Sequence, residues 1–465
     1  MERYQKQMDD LRYAEQGKKK LVQALKTAEA PRRAYRRGRM LAAGLAAALT
    51  LGTAALAASP GLRELLSQQL GGFEPIARVE DGAVVTDQGI EMRVVSAMTD
   101  GMATEIYIEA RDLQGDRLVD GGVDVMGQIV QPEADRLSKN RAERGMVSAW
   151  TVREECVGYD PETKTALLRF GRYNNERLEE PESLQNMTVQ ISYLQPQYYR
   201  VSAALPQGLL AADTLKSFAL EDGRLALEPN QTPAKLDTEL ASLSSLGFAQ
   251  DGRLHLQLEL PAQARRENSR LIATVYSKRV ESLDMSKEED IEEANRIGRA
   301  YNGDVLDTVI FTQNGRIYQE ISFPAGPEDL EDLILDQIYG FVVLAEPIQG
   351  NWELPVTVPL QRQTAIEVGQ KVDGALVQDL ILSPLSLYIT GDGHNYSRNP
   401  AVVYLKDGGR IEGKGQGAFV SPELSACRWQ FDQPVDWDQV AGVEINGWLI
   451  PIEGGQAGPV EAPKE

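Results

Sequence analysis

Nineteen consecutive residues, Met40 to Ala58 (MLAAGLAAALTLGTAALAA), contain no charged side chain. At about 1.5 Å of rise per residue, a helix of that length spans about 28 Å, close to the thickness of a bilayer core. The two flanks differ in sign. Residues 1–39 hold 12 basic and 5 acidic side chains, a local balance of +7, whereas the remainder holds 36 basic and 64 acidic, or −28. Arg32, Arg33, Arg36, Arg37 and Arg39 crowd the N-terminal edge of the apolar run. Basic residues stay on the cytoplasmic side of a membrane helix, so these five arginines set a topology with residues 1–39 inside and 59–465 outside. Ala55-Leu56-Ala57 has the small-x-small form of a signal-peptidase site. Against cleavage, the 39 residues ahead of the apolar run exceed a whole signal peptide of about 15 to 30. The expectation is one uncleaved span in the cell membrane, with the bulk of the chain extracellular.

In the tail, Ala14 to Ala28 (AEQGKKKLVQALKTA) places Leu21, Val22 and Leu25 on one helical face, and Pro31 ends it. So short a helix is marginal in water and needs a partner or a lipid surface to become ordered. If it binds a protein, Leu21, Val22 and Leu25, with Lys18, Lys19 and Lys20 beside them, are the expected docking face, as a helix laid in a groove. No nucleic-acid partner is expected: the outer part is strongly acidic, and topology plus attraction to anionic lipid accounts for the basic tail.

Beyond the span the period changes twice. Ser59 and Pro60 open a helix carrying Leu62, Leu65, Leu66 and Leu70 on one side and closing at Gly71-Gly72. From about Ile76 the period is two. Ile90, Met92 and Val94 alternate with polar residues, as do Ile106, Ile108 and Ala110, then Leu254, Leu256, Leu258 and Leu260. Short runs of this kind, broken by Gly, Asp and Asn turns, predict antiparallel sheets with one wet face, arranged as sandwiches. The fold class is therefore mainly β, with tandem β-sandwich modules after one transmembrane helix and a short helical tail. The expected divisions are a basic tail (1–39), a transmembrane helix (40–58), a juxtamembrane helix (59–75), a first β module (76–205), a second (206–362), a third (363–453) and a flexible end (454–465). Ser286 and Glu289 have capping-box spacing, which predicts a surface helix near 286–300 inside the second module.

The catalytic inventory is thin. His255 and His394 are the chain's two histidines; His255 alternates with leucines and is expected to face solvent, and no G-x-S-x-G elbow supplies a nucleophile. Cys156 and Cys427 are 271 positions apart without C-x-x-C or His spacing, so no zinc site is expected. The acidic run Glu288-Glu289-Asp290 with Glu292 and Glu293, and Asn302, Asp304 and Asp307 nearby, lacks the calcium-loop pattern and reads as a solvated surface. Trp352 and Trp448 end β runs and are expected to pack. The chain is not expected to be an enzyme, and no metal or other cofactor is implied.

The tail LRYAEQGKKKLVQAL, the arginine cluster, the alanine-rich span and the opening DQGIEMRVVSAMTDGMATEIYIEARD together resemble a family of Gram-positive single-pass membrane proteins that carry a domain of unknown function. Members are commonly encoded beside extracytoplasmic-function sigma factors and are regarded as their anti-sigma factors. LILSPLSLYI, VYLKDGGRI and WQFDQPVDWDQVAGVEINGWLIPI are similar to the immunoglobulin-like C-terminal module of such proteins. The resemblance implies a membrane-anchored sensor that couples an outer β region to a cytoplasmic sigma factor. Residues 1–39 depart from the zinc-binding type of anti-sigma domain, having neither His nor Cys, and are short for one that wraps a sigma factor. The alternative is an anchored surface protein whose outer modules bind cell-wall polymer or another surface protein.

Overall fold

The structure, a computed structural model, describes residues 60–463 apart from 80, 120–121, 133–134, 136–149, 175–184, 207, 282, 284–286, 303–306, 392–399 and 421–424. The tail face of Lys18, Lys19, Lys20, Leu21, Val22 and Leu25, the arginines Arg32, Arg33, Arg36, Arg37 and Arg39, the apolar segment 40–58 and His394 lie outside the described residues. Among the described residues no helix is long and apolar enough to cross a membrane. Ala57–Glu465 is one compact unit. It is mainly β, every ladder between its named strands is antiparallel, and it contains three large apolar cores.

The first core lies between two sheets. Val84–Asp87, Ile90–Thr99, Ala103–Asp112, Thr165–Asn174 and Trp150–Asp160 form one, in that order across the sheet; Asp81–Gly82, Ile348–Thr357, Asn186–Pro196 and Val123–Val130 form the other. Alternate residues point inward: Ile90, Met92, Ile106 and Ile108 from the first sheet meet Val189, Ile191 and Leu354 from the second. Trp352 is fully buried among them, its indole N–H donating to the Ile90 carbonyl at 3.0 Å.

The second core is inserted into the first. Ser242–Phe248, Leu254–Leu260, Arg316–Phe323 and Asp307–Gln313, with Ala234–Lys235 at one edge, face the three strands Arg270–Ser277, Leu333–Val343 and Tyr198–Ala204. The chain leaves the first module after Asn186–Pro196 and returns at Ile348–Thr357, and these two strands pair with each other, Leu194 opposite Ile348 and Asn186 opposite Thr357. Residues 198–204 therefore belong to the second core and 348–357 to the first, where the sequence divisions at 205 and 362 put them the other way round. Alternation marks a segment as a strand; it carries no information about which distant strand it pairs with.

The third core is enclosed by a single sheet of nine strands from Thr364–Val372 to Gln456–Ala457. The sheet curls until its ends meet: the Gln370 amide donates to the Gly458 carbonyl at 2.9 Å and accepts from the Val460 N–H at 2.9 Å.

Two helices carry specific packing. Pro60–Leu70 buries Leu62, Leu66 and Leu70 against Val95, Tyr107 and Leu167. It passes so close over Gly158 that a Cβ there would sit 2.8 Å from the Leu65 methyl. Glu288–Asn302 turns mostly polar residues to solvent but buries Ile297 in the second core, so it seals that core's flank as well as decorating the surface.

One expectation about these sheets is overturned. The outward residues of the central strands are not wet. Along Ala103–Asp112, Glu105, Tyr107 and Glu109 are buried as well as Ile106, Ile108 and Ala110. Along Leu254–Leu260, His255 and Gln257 are buried as well as the leucines. The sheets that hold these two strands have a second cover there, and the polar residues that alternate with the apolar ones serve it.

Candidate functional site

The cover on Ala103–Asp112 is shared: the helix Pro60–Leu70 lies over Tyr107 and the third module meets Glu105, and the joint between the first and third modules is an extended buried polar site. It begins in the turn Thr99–Ala103, where Gly101 takes φ +84° and Asp100 is 0% exposed. Asp100 Oδ1 accepts from the backbone N–H of Met102 at 2.8 Å and of Ala103 at 2.6 Å, closing its own turn. Its other oxygen, Oδ2, accepts from the hydroxyls of Ser383 and of Ser386, the latter at 2.7 Å, which close a turn of the third module. The connector joining the modules is tied to the same place: Gln361 N–H donates to the Thr99 carbonyl at 2.8 Å, and the Gln363 amide donates to the Asp100 carbonyl. Met102 then inserts between Ile381 and Tyr388 of the third module.

Glu105 forms the second half. Arg169 grips it with both Nε and Nη2, at 3.1 and 2.6 Å; the Tyr173 hydroxyl donates at 2.8 Å and the Gln430 amide of the third module at 2.5 Å. Burial and the Glu105 charge push the Tyr173 hydroxyl up to about 12 and raise Tyr107 likewise. Both phenols therefore stay protonated donors at physiological pH. Burial works against the Arg169 charge, but Glu105 outweighs it and the guanidinium is held firmly protonated.

Within electrostatic reach of Asp100, Arg428 of the third module is 1% exposed and lies 4.9 Å from the centroid of the Tyr173 ring. Burial pulls it down to about 10, opposed by the Asp100 charge and by Tyr173 and Tyr388. It remains a cation at neutral pH, facing an anion across the joint. The acceptor positions of Asp100 and Glu105 are filled by donors, and the geometry is that of a lock rather than a catalytic centre.

A second buried polar cluster covers the outer face of Leu254–Leu260. His255 Nδ1 lies 2.9 Å from Glu320 and Nε2 3.3 Å from Asp251. Gln257 donates to Glu320 at 3.0 Å and to the Leu227 carbonyl at 2.5 Å, while Leu227 N–H donates to Glu320 at 3.1 Å. The hairpin of Ser217–Ala219 and Leu225–Leu227 is thereby fastened over the sheet. His255, expected in solvent, is 1% exposed because this hairpin roofs it. Burial works against its charged form, but hydrogen bonds and charge from Glu320 and Asp251 outweigh that and raise its pKa; burial raises that of Glu320 as well.

Cys427 is buried in the third core and Cys156 lies half-buried beside the first. Among the described residues no group of three or more His, Cys, Asp or Glu side chains is placed to hold a metal ion. Sequence reading missed Asp100, Glu105, Arg169 and Arg428. For Glu105, Arg169 and Arg428 the one signal was a charged residue at an alternating position inside a strand; Asp100 lies in a turn, where an aspartate is ordinary.

The segment after the apolar run reaches this joint. The helix Pro60–Leu70 lies on the first module, the following turn Gly71–Phe73 buries Phe73 in the third core, and Gly72 packs against Gln433 and Pro434. A Cβ at Gly72 would meet Pro434 at 2.9 Å.

No protein-family model and no curated protein matches the chain. Among solved structures it is similar to one described as the conserved domain protein from Bacillus anthracis, at 9% identity over 83% of this chain and 82% of that one, with a TM-score of 0.31.

Proposed function

We propose that this protein is a single-pass membrane regulator of the anti-sigma-factor kind, with immunoglobulin-like β-sandwich modules outside the cell and a cytoplasmic tail that holds a sigma factor through Leu21, Val22, Leu25 and the neighbouring Lys18, Lys19 and Lys20. One observation carries the reading. The helix Pro60–Leu70, which begins two residues after the apolar segment, is buried at Leu62, Leu66 and Leu70, and the turn after it is wedged where the first and third modules meet. A passive anchor needs only a loose tether. A clamped one passes any movement of the joint to the segment that precedes it, which is what a sensor requires.

The test uses the full chain in detergent as bait. Wild type should retain a sigma factor, and the Leu21→Asp, Leu25→Asp double variant should not. In cells, Leu66→Asp, which loosens the clamp without touching the tail, should change transcription of the sigma factor's targets while leaving the protein in the membrane. Failure of wild type to retain any sigma factor rules the reading out and leaves the anchored surface protein.

A further inference from the structure

The outward face of the three-stranded sheet in the second module carries aromatic residues that stand open to water. Its strands lie in the order Arg270–Ser277, Leu333–Val343, Tyr198–Ala204. Residues such as Leu271, Val275, Ile338 and Val201 point inward to the core. The residues between them form rows across the outside. Arg270, Phe341 and Arg200 stand side by side in one row, Ile272, Tyr339 and Ser202 in the next, and Tyr276 stands opposite Ile334 further along. Tyr339 is 40% and Tyr276 46% exposed. Tyr198 stacks on Phe341 with ring centroids 4.9 Å apart and planes 25° from parallel, so the first row has a broad aromatic platform at its centre.

Large aromatic rings left open to water on a regular surface mark a site of contact. Their setting says what kind. Arg200 and Arg270 are both exposed, one on each side of the platform, and neither lies in an ion pair among the described residues; Asp124 is the acid within electrostatic reach of Arg200. A groove of about 480 Å³ opens beside Arg270 toward the edge strand Asp307–Gln313, and Arg224 and Arg266 line it. Glu267 lines it too, and Arg224 shares its charge with Asp222. Arg224 pairs with Asp307 as well, so the arginines that stand open beside the platform are Arg200 and Arg270.

We propose that this strip binds an anionic glycan in which sugar rings alternate with phosphate links, the rings lying on Phe341 and Tyr339 and the phosphates on Arg200 and Arg270. Neighbouring strands are about 4.8 Å apart, so the two arginines flank the platform at roughly 10 Å, leaving room for one ring between two charges. Guanidinium forks match phosphate oxygens in pairs, and an aromatic face meets the apolar C–H face of a sugar while leaving its hydroxyls wet. A polymer of uronic acids carries its charge on each ring instead of between rings and fits the order of the rows less well. The choice of a wall polymer rests on the outward placement of residues 59–465 proposed above, but binding is measured on purified protein and so succeeds or fails independently of sigma-factor retention.

The experiment is equilibrium binding of the detergent-solubilised full chain to a purified polymer of hexoses joined by phosphodiester links, with dextran, polygalacturonate and phosphatidylglycerol vesicles in parallel. Wild type should bind the phosphate polymer, more weakly as salt rises, and bind the other three at least about tenfold more weakly. Arg200→Gln with Arg270→Gln should weaken binding about tenfold and flatten the salt dependence; Tyr339→Ala should weaken it several-fold and leave the salt slope intact. All three side chains are exposed, so an unchanged melting temperature separates lost binding from lost fold. Absence of binding by wild type, equal binding to dextran, polygalacturonate or vesicles, or unchanged affinity in the double arginine variant overturns the proposal.

Discussion

At Asp100 one carboxylate closes two turns that are 283 residues apart, its own and that of Ser383 to Ser386. Removing it leaves two backbone N–H groups and two hydroxyls without their acceptor and Arg428 without its facing anion. Asp100→Ala should therefore cost about 3 kcal/mol or more, whereas Asp100→Asn, which keeps the shape and part of the hydrogen bonding, should cost less; chemical denaturation of the two variants gives the comparison. His255 offers a pH handle at the same scale. The folded-state pKa of His255 is raised by Glu320 and Asp251, and that of Glu320 by burial. Both groups hold their proton more tightly folded than unfolded. Stability from His255 is thus fully present below about pH 6.5, its ordinary value, and is lost as pH rises through the raised value; the Glu320 shift has the same sign. The melting temperature should fall as pH rises above about 6.5, and His255→Gln should flatten that slope.

Among the elements, the helix Pro60–Leu70 and the strand Leu333–Val343 are the most exposed to a single change. Leu66 is buried beside Tyr107 and Leu167, so Leu66→Ala should cost about 2 to 4 kcal/mol and raise amide exchange across the whole helix. Gly340 adopts φ +143°, and a Cβ there would sit 2.2 Å from the Arg270 carbonyl. Gly340→Ala should pry Arg270–Ser277 from its neighbour and lower the melting temperature, which thermal unfolding followed by circular dichroism would register. The elements themselves are legible in the sequence: leucines at 62, 66 and 70 at helical spacing, and Ile90, Met92, Ile106 and Ile108 at a period of two. Their second faces are not. Glu105 and His255 look like surface residues in the pattern because a polar side chain at an alternating position reads the same whether it meets water or a buried partner.

For the whole molecule, the joint makes the first and third modules one cooperative body. Calorimetry of wild type should show these two modules melting together. Glu105→Ala, which removes the acceptor of Arg169, Tyr173 and Gln430, should separate the transition into two. The insertion of the second module between paired strands of the first has a further consequence. Its two connections, near Gln197 and Ala345, are bridged by the Gln195 amide donating to the Ala345 carbonyl at 2.9 Å, so the insert leaves and re-enters at one point. A module attached that way can move as a unit without unzipping the first core.

The sequence alone determined the polarity of charge about Met40 to Ala58 and the mainly β character of the chain beyond Ile76. Both are local properties: charge needs only a count, and a strand's alternation comes from its own backbone geometry. Tertiary structure decided that Ile348–Thr357 pairs with Asn186–Pro196, that the outward residues of Ala103–Asp112 are buried, and that Asp100 and Glu105 lock two modules together. These depend on contacts between residues far apart in the chain, from 64 positions between Glu105 and Arg169 to 325 between Glu105 and Gln430. Pairing and covering are set by which surfaces the folded chain brings together, and no local pattern encodes that.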